Sequence, residues 1–269
     1  MSATLGAGQP AETGAIGIAL QMWTVRQQMR AGARACIAEV AGAGYDAVEL
    51  VGYGDAGFAA VRDRLAETGV RAISQHVPYG RFAQELDTVL AENSELGCSY
   101  LVIQQGRHED WLDADAVRSF AATCNAWGAA CRDAGLSLGY HGYHELDQEF
   151  APYGAATRWD LFAAQTDPEL LFLQLDTYWV RQTGNDPAAL LERFAGRVPT
   201  LHLKDTAPAA DGTDTTVGDG LLDLPAVLAA AARSGTSWVI VEQEGDPGNA
   251  LRDIRRSRLN TAQALRVAV

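Results

Sequence analysis

The sequence predicts a single-domain α/β fold, a (β/α)8 TIM barrel, from two observations. Eight short apolar runs recur along the chain, and Ala- and Leu-rich amphipathic stretches separate many of them. The runs are almost continuously hydrophobic, which is typical of parallel strands buried on both faces of a sheet. Strand and helix alternating eight times in about 250 residues is the pattern of this barrel. A doubly wound sheet is the alternative, but no GxGxxG motif follows the first strand.

The apolar runs give the predicted strands in chain order. They cover residues 16–23, 47–51, 71–77, 100–105, 136–141, 171–176, 198–205 and 238–244. Helices are predicted over 30–44, 55–69, 114–135, 186–196, 224–235 and 247–267. Capping signals support several of them: the first three end at Gly44, Gly69 and Gly135, and the fourth begins with Asp186 and Pro187.

Length and composition limit the class of protein. The 269 residues are 48% apolar, which is enough for a large core, and no apolar run reaches the 18 residues of a membrane span. A net charge of −13 leaves little basic surface, so no nucleic-acid partner is expected. Residues 1–14 lack the features of a secretory signal and are predicted to be a disordered tail before the barrel domain, 15–269. Four cysteines without CxxC spacing predict reduced thiols in a cytoplasmic protein.

Polar side chains lie at the end of each predicted strand. In chain order they are Gln21 and Trp23, Glu49, His76, Gln104, His141, Asp176, His202 and Lys204, and Glu242 and Glu244. Because the reacting groups of a (β/α)8 barrel lie at the C-terminal ends of its strands, we expect these side chains to meet at one rim. Buried carboxylates and imidazoles are costly unless they are paired or bind a cation, so the cluster predicts a divalent metal ion.

Taken alone, each of these residues also has a purely structural interpretation. Asp176 could cap the turn after the sixth strand, His202 could be a core imidazole, and Glu242 could pair with a nearby lysine. Glu49 could pair with an arginine such as Arg26. A carboxylate, an imidazole and a carboxylate on three successive strands together favour the metal site.

Short motifs in a fixed order carry a resemblance to a known protein family. They read IALQMWTVR, GYDAVEL and LGYHGYHELDQEF in the first half, then LQLDTYWV, RVPTLHLKD, VGDGLLDL and WVIVEQE. Together they resemble the sugar phosphate isomerase/epimerase family, whose members are xylose isomerase-like TIM barrels. The resemblance covers nearly the whole chain from residue 16 onward.

The resemblance implies one divalent metal ion, often Mn²⁺, with Co²⁺, Mg²⁺, Fe²⁺ or Zn²⁺ as alternatives. Its implied ligands are Asp176, His202 and Glu242, with a fourth from the fifth strand. The sugar-epimerase members have Glu at this fourth position, whereas the aligned residue here is His141. The register after this strand stays open, so that His144 and Glu149 are alternatives to His141.

The implied reaction acts on a keto-sugar or an oxidised sugar derivative. A base removes the proton α to the carbonyl, which gives an enediolate held by the metal. The base would be Glu242, His141 or His144, and Lys204 would stabilise the oxyanion. Return of the proton makes the protein a sugar isomerase or epimerase, which is the main expectation. The alternative is a lyase or dehydratase that eliminates from a 3-keto-glycoside or an inosose.

Contacts with the sugar substrate are expected from Trp23, Glu49, His76, Gln104 and Trp179. Trp179 stands where the ketose 3-epimerases have a substrate-gripping His, which favours a bulkier or differently oxidised sugar. The related endonuclease for abasic DNA uses many more His ligands, so five histidines and the acidic charge argue against that activity. Relatives are often dimers or tetramers, so a homo-oligomer or a partner subunit is expected.

Overall fold

The computed structural model describes residues 15–142, 157–208 and 212–268, and within them eight parallel strands form a closed barrel. The strands are β1 (Gly17–Gln21), β2 (Ala47–Val51), β3 (Arg71–Val77), β4 (Tyr100–Ile103), β5 (Ser137–His141), β6 (Leu171–Asp176), β7 (Thr200–Leu203) and β8 (Trp238–Val241). Each strand lies beside the next one in the chain, and β1 closes the barrel against β8. The predicted fold class is therefore confirmed.

Helices surround the barrel. They are α1 (Arg26–Gly42), α2 (Gly57–Thr68), α3 (Tyr79–Leu96), α4 (Ala114–Asp133), α5 (Arg158–Gln165), α6 (Thr177–Gln182), α7 (Pro187–Arg193), α8 (Leu224–Arg233) and α9 (Ala250–Ala268). All six predicted helices are present, with ends that differ by a few residues. The structure adds α3, α5 and α6, which the sequence analysis did not predict. The shortest of them, α6, contains Thr, Tyr, Trp and Val, whose helix propensities are modest, and the Asp176 side chain caps it.

Four predicted strands run beyond their observed ends. At β1, Met22–Val25 forms a 3₁₀-helix instead of continuing the strand. The Gln21 side chain ends the strand there, since it accepts a hydrogen bond of 3.1 Å from the Trp23 backbone N–H. Similarly, β4, β7 and β8 end at Ile103, Leu203 and Val241. Gln21 and His202 therefore lie within their strands, whereas the other polar residues predicted at these four ends follow the strands: Trp23, Gln104, Lys204, Glu242 and Glu244.

The barrel interior has an apolar end and a polar end. Trp238 and Phe172 belong to a separate cluster of buried apolar residues near the N-terminal ends of the strands. Two glycines make room for these rings, because a Cβ at Gly17 would lie 2.3 Å from the Trp238 ring and one at Gly139 would lie 2.3 Å from the Phe172 ring. Polar residues fill the interior above this apolar cluster, towards the C-terminal rim.

Three further predictions concern membrane spans, cysteines and the N-terminal tail. None of the described helices has both the length and the hydrophobicity needed to cross a bilayer. The four cysteines are buried and none of them forms a disulfide bond. The predicted tail, residues 1–14, lies outside the described residues, and so do the alternative fifth-strand residues His144 and Glu149.

Candidate active site

Four side chains with metal-binding groups meet at the C-terminal rim of the barrel. They are His141 at the end of β5, Asp176 at the end of β6, His202 in β7 and Glu242 just after β8. One nitrogen or oxygen atom of each lies within 4.8 Å of the others, and all four residues are buried. In the parallel sheet, His202 of β7 lies between Asp176 of β6 and Ile240 of β8. The structure thus brings together the four residues that the sequence analysis proposed as ligands.

Asp176 caps the helix that follows its strand and also lies among the metal-binding groups. Its Oδ1 accepts hydrogen bonds from the backbone N–H groups of Tyr178 (2.8 Å) and Trp179 (3.2 Å), which caps α6 and fixes the carboxylate. Its Oδ2 is buried and accepts no hydrogen bond within the described part of the chain. The same Oδ2 lies 3.9 Å from His141 Nε2 and 3.9 Å from His202 Nδ1. A cation between these atoms would satisfy the carboxylate oxygen.

His202 lies between two carboxylates. Its Nδ1 is 2.6 Å from Glu242 Oε2, and its Nε2 is 2.6 Å from Glu49 Oε1. Burial alone would lower the pKa of His202, but Glu49 and Glu242 outweigh burial and raise it to about 10. Burial alone would raise the pKa of Glu242, but His202 and Lys204 hold it well below its usual value. Without a metal ion, His202 is therefore an imidazolium that neutralises two carboxylates.

His141 is the second imidazole of the cluster and its charge state differs. Burial is the main effect on it and lowers its pKa, although the neighbouring Asp176 acts in the opposite direction. A neutral imidazole is the form that binds a metal ion. The ring centroids of His141 and His202 are 4.8 Å apart, so the two donors face the same small volume.

The donor set fits a divalent transition-metal ion. Two imidazoles and two carboxylates form a mixed nitrogen and oxygen set, which suits Mn²⁺, Fe²⁺, Co²⁺ or Zn²⁺ better than Ca²⁺. The unpaired Asp176 Oδ2 is an independent indication, because a buried carboxylate oxygen without a partner is costly. The residues that would hold the ion are His141, Asp176, His202 and Glu242.

A cavity of about 200 Å³ opens beside this cluster. It is lined by Gln21, Trp23, Val51, His76, Gln104, Gln105, His141, Trp179, Glu242 and Glu244. Four of the five residues predicted to contact substrate are among them. A larger cavity of about 410 Å³ lies at the N-terminal ends of β3 and β4, where Arg71 and Trp238 contribute to its wall. We assign the smaller cavity to the chemistry because it adjoins the metal-binding groups.

The fold and site have counterparts among known proteins. The family model described as "Xylose isomerase-like TIM barrel" matches residues 37–262, which is most of the chain. The chain belongs to this family.

Individual members of the family include enzymes with different reactions. Inosose dehydratase from Clostridium beijerinckii (strain ATCC 51743 / NCIMB 8052) is 27% identical over 210 residues, which cover 71% of this chain and 63% of the relative. The match thus spans less than two thirds of the relative's length. A sugar phosphate isomerase/epimerase from Parabacteroides distasonis ATCC 8503 has a TM-score of 0.79 at 22% identity, with 98% of this chain and 100% of that chain covered. The IOLI protein, crystallised with a zinc atom, has a TM-score of 0.71 at 13% identity over 94% and 99% of the two chains.

The printed names of these relatives include a dehydratase and a sugar phosphate isomerase/epimerase, whereas the family match over residues 37–262 assigns this chain to the barrel family. The two structural likenesses, both below 25% identity, show the fold alone.

Within this xylose isomerase-like barrel, carboxylates and aromatic rings surround the ammonium group of Lys204. Its Nζ contacts the Glu244 carboxylate and lies 3.7 Å from Glu242 Oε1. The Tyr178 and Trp179 ring centroids are 5.2 Å and 5.3 Å from the same nitrogen, within the range of cation–π attraction. Burial alone would lower the pKa of Lys204, but the surrounding carboxylates raise it, so the side chain stays an ammonium. This fixed positive charge adjoins Glu242 and the cavity wall.

Glu49 is not where the sequence analysis expected it. The side chain has no exposed surface and does not line the cavity, so the prediction that it contacts substrate is wrong. In the sheet, Glu49 pairs with Gln21 of β1 and with Ser74 of β3. Because β2 continues to Val51, which pairs with His76, Glu49 lies two residues deeper in the barrel than His76. The sequence analysis took Glu49 as the end of its strand, although the predicted strand 47–51 already placed it in the middle.

Three polar residues of the cavity wall received no function from the sequence analysis: Gln21, Gln105 and Glu244. Gln105 follows Gln104 after β4, and Gln21 ends β1. Both stand at strand ends, and for Gln21 this position was noted without a function. A rule that every polar residue within two positions of a strand end contributes to the rim would have found Gln21 and Gln105.

Proposed function

We propose that this protein is a metal-dependent enzyme that removes a proton α to the carbonyl of a keto-sugar or a related oxidised polyol. The single observation that carries the proposal is the group of four buried metal-binding side chains with an unpaired Asp176 Oδ2 at its centre. Bound there, a divalent ion would polarise the substrate carbonyl and make the adjacent C–H more acidic. The IOLI protein, which has the same fold, was crystallised with a zinc atom, and this also supports a divalent metal ion here.

The chain supplies a base and a fixed positive charge beside the cavity. Glu242 and His141 both line the cavity, so either can accept the proton. The Lys204 ammonium, 3.7 Å from Glu242 Oε1, favours negative charge that develops nearby. Trp23 and Trp179 provide apolar surface for a sugar ring, and Gln104 and His76 offer hydrogen bonds to hydroxyl groups.

Two outcomes of the proton removal are proposed. In the first, the proton returns to the opposite face or to the neighbouring carbon, which is the reaction of a sugar isomerase or epimerase. In the second, a β-hydroxyl or β-glycosyl group leaves, which is the reaction of a dehydratase or lyase. The second outcome is favoured because strand β5 contributes an imidazole, His141, and not a carboxylate to the cavity wall. The similarity to inosose dehydratase also supports it.

Solvent exchange tests the common step directly. The metal-loaded protein is incubated in D₂O with keto-sugars, 3-keto-glycosides and inososes, and ¹H NMR follows loss of the α-proton signal. We expect exchange with the wild-type protein and not with Glu242→Gln. An absorbing unsaturated ketone would identify elimination, whereas a product of inverted configuration that carries one deuterium in place of the α-proton would identify epimerisation. Absence of exchange with every keto substrate would contradict the proposal.

A further inference from the structure

A second group of buried side chains lies beneath the metal-binding cluster, deeper in the barrel. At its centre, the Glu49 carboxylate accepts hydrogen bonds from Gln21 Nε2 (2.7 Å), Ser74 Oγ (2.6 Å) and Gln174 Nε2 (2.9 Å). Its fourth contact is with His202 Nε2, 2.6 Å from Glu49 Oε1. The two nitrogens of the His202 ring therefore face different groups, with Nε2 towards Glu49 and Nδ1 towards the metal-binding carboxylates.

The partners of Glu49 determine where the proton of His202 resides. An ionised carboxylate can only accept hydrogen bonds. Both oxygens of Glu49 accept hydrogen bonds, Oε1 from Gln21 and Oε2 from Ser74 and Gln174, as those of an ionised carboxylate do. The short contact to His202 is therefore a hydrogen bond that Nε2–H donates. With the Nε2 hydrogen held towards Glu49, Nδ1 is the nitrogen of His202 that would bind a metal ion at this site.

Hydrogen-bond partners also determine which nitrogen of the His76 ring faces the Glu49 network. Gln174 Nε2 lies 2.9 Å from Glu49 Oε2 and 3.0 Å from Thr200 Oγ1, so the amide nitrogen faces the carboxylate. The amide oxygen must then face His76, whose Nε2 lies 2.7 Å from Gln174 Oε1 and 3.1 Å from Glu49 Oε1. Both of these oxygens are acceptors, so His76 also carries its hydrogen on Nε2. The His76 side chain also lines the cavity.

We propose that Glu49 is the positioning residue of this site and holds His202 in the Nε2–H tautomer that directs Nδ1 towards the metal ion. Through Gln174 and through its own contact with His76 Nε2, Glu49 also orients the His76 ring on the cavity wall. The inference rests on the proposed function, since it assigns Glu49 a part in binding the metal ion. A carboxylate behind a metal-bound imidazole typically changes metal affinity by about 10- to 100-fold.

The test compares metal affinity in variants of the whole chain. Zn²⁺ and Mn²⁺ binding is measured by isothermal titration calorimetry for wild type, Glu49→Gln and Glu49→Ala. We expect both variants to bind about 10- to 100-fold more weakly than wild type. The matched control is Thr236→Val, which removes one buried hydrogen bond of 2.8 Å to the Val198 carbonyl at the opposite end of the barrel. The control should keep wild-type affinity, so a general loosening of the barrel is distinguished from a loss at the site.

A spectroscopic measurement on wild type keeps the inference testable if the Glu49 variants do not fold. In Zn²⁺-loaded protein with ¹⁵N-labelled histidine, we expect His202 and His76 each to show a proton on Nε2, and His202 Nδ1 to carry the shift of a metal-bound nitrogen. A His202 proton on Nδ1, or variants with unchanged affinity, would overturn the positioning inference while the proposed function stands. Absence of metal binding by wild type would instead overturn the proposed function and this inference with it.

Discussion

The two ends of the barrel interior are built from the same strands but serve different purposes. At the N-terminal end, Trp238 and Phe172 fill the space over Gly17 and Gly139, and the contacts are apolar. Towards the C-terminal end, Glu49, His202 and their neighbours form a buried network of hydrogen bonds and charges. The N-terminal end contributes stability by excluding water, whereas the C-terminal end holds charges that are costly without partners. Position along a strand therefore separates packing from chemistry in this fold.

The largest effect on metal affinity is expected from a substitution that removes one metal ligand and keeps the fold. In Asp176→Asn the remaining oxygen can still cap α6, because only Oδ1 accepts the Tyr178 and Trp179 hydrogen bonds. We expect metal affinity to fall by about 100-fold or more, beyond the range of residues that act behind a ligand. Elemental analysis after dialysis measures the bound metal, and circular dichroism checks the helices. Equal metal content in variant and wild type would remove Asp176 from the ligand set.

The second prediction concerns pH. The pKa of His202 in the metal-free protein is raised to about 10, so below that pH the ring carries a proton on Nδ1 that a metal ion must displace. Metal affinity should therefore rise with pH up to about 10, by roughly tenfold per pH unit for one released proton. Calorimetry in buffers of different ionisation enthalpy counts the released protons. Binding without proton release would show that His202 Nδ1 is not a ligand.

The third prediction concerns a substitution at the apolar end of the barrel interior. Gly17→Ala places a methyl group 2.3 Å from the Trp238 ring, so the ring must move. We expect the free energy of unfolding to fall by about 1–3 kcal/mol, as in other overpacked cores, with unchanged metal affinity. Gly80→Ala is the control, because nothing lies within 4 Å of its new Cβ. Urea unfolding of both variants gives the comparison, and a loss of metal binding in Gly17→Ala would show that the two ends are coupled.

The smallest expected effect lies at the cavity wall. Trp23 lines the cavity and its ring is 4.8 Å from the Arg26 guanidinium carbon, which holds it in place. Trp23→Leu keeps an apolar side chain but removes the flat ring that would contact a sugar. We expect KM to rise by about 2- to 10-fold with little change in kcat, in line with the energy of one aromatic contact. Steady-state kinetics with the substrate found by exchange measures both constants, and an unchanged KM would place the sugar elsewhere.

The sequence predicted most of this architecture because its signals are local. Parallel barrel strands are apolar runs, and Asp176, His202 and Glu242 follow directly from their positions at strand ends. Helix α6 was missed because its residues favour a helix only once the Asp176 carboxylate caps it. Glu49 was misassigned because depth inside the barrel depends on register between strands, including the shift between Val48 and Glu49. Pairing between strands is a property of the closed barrel and cannot be read from one segment.

The most direct test of the central claim is X-ray absorption spectroscopy of the protein loaded with one equivalent of Zn²⁺ or Mn²⁺. The account predicts one ion whose nearest neighbours are nitrogen and oxygen atoms from two imidazoles and two carboxylates, and loss of one imidazole contribution in His202→Ala. An ion with no imidazole neighbours, or a spectrum unchanged in His202→Ala, would contradict it.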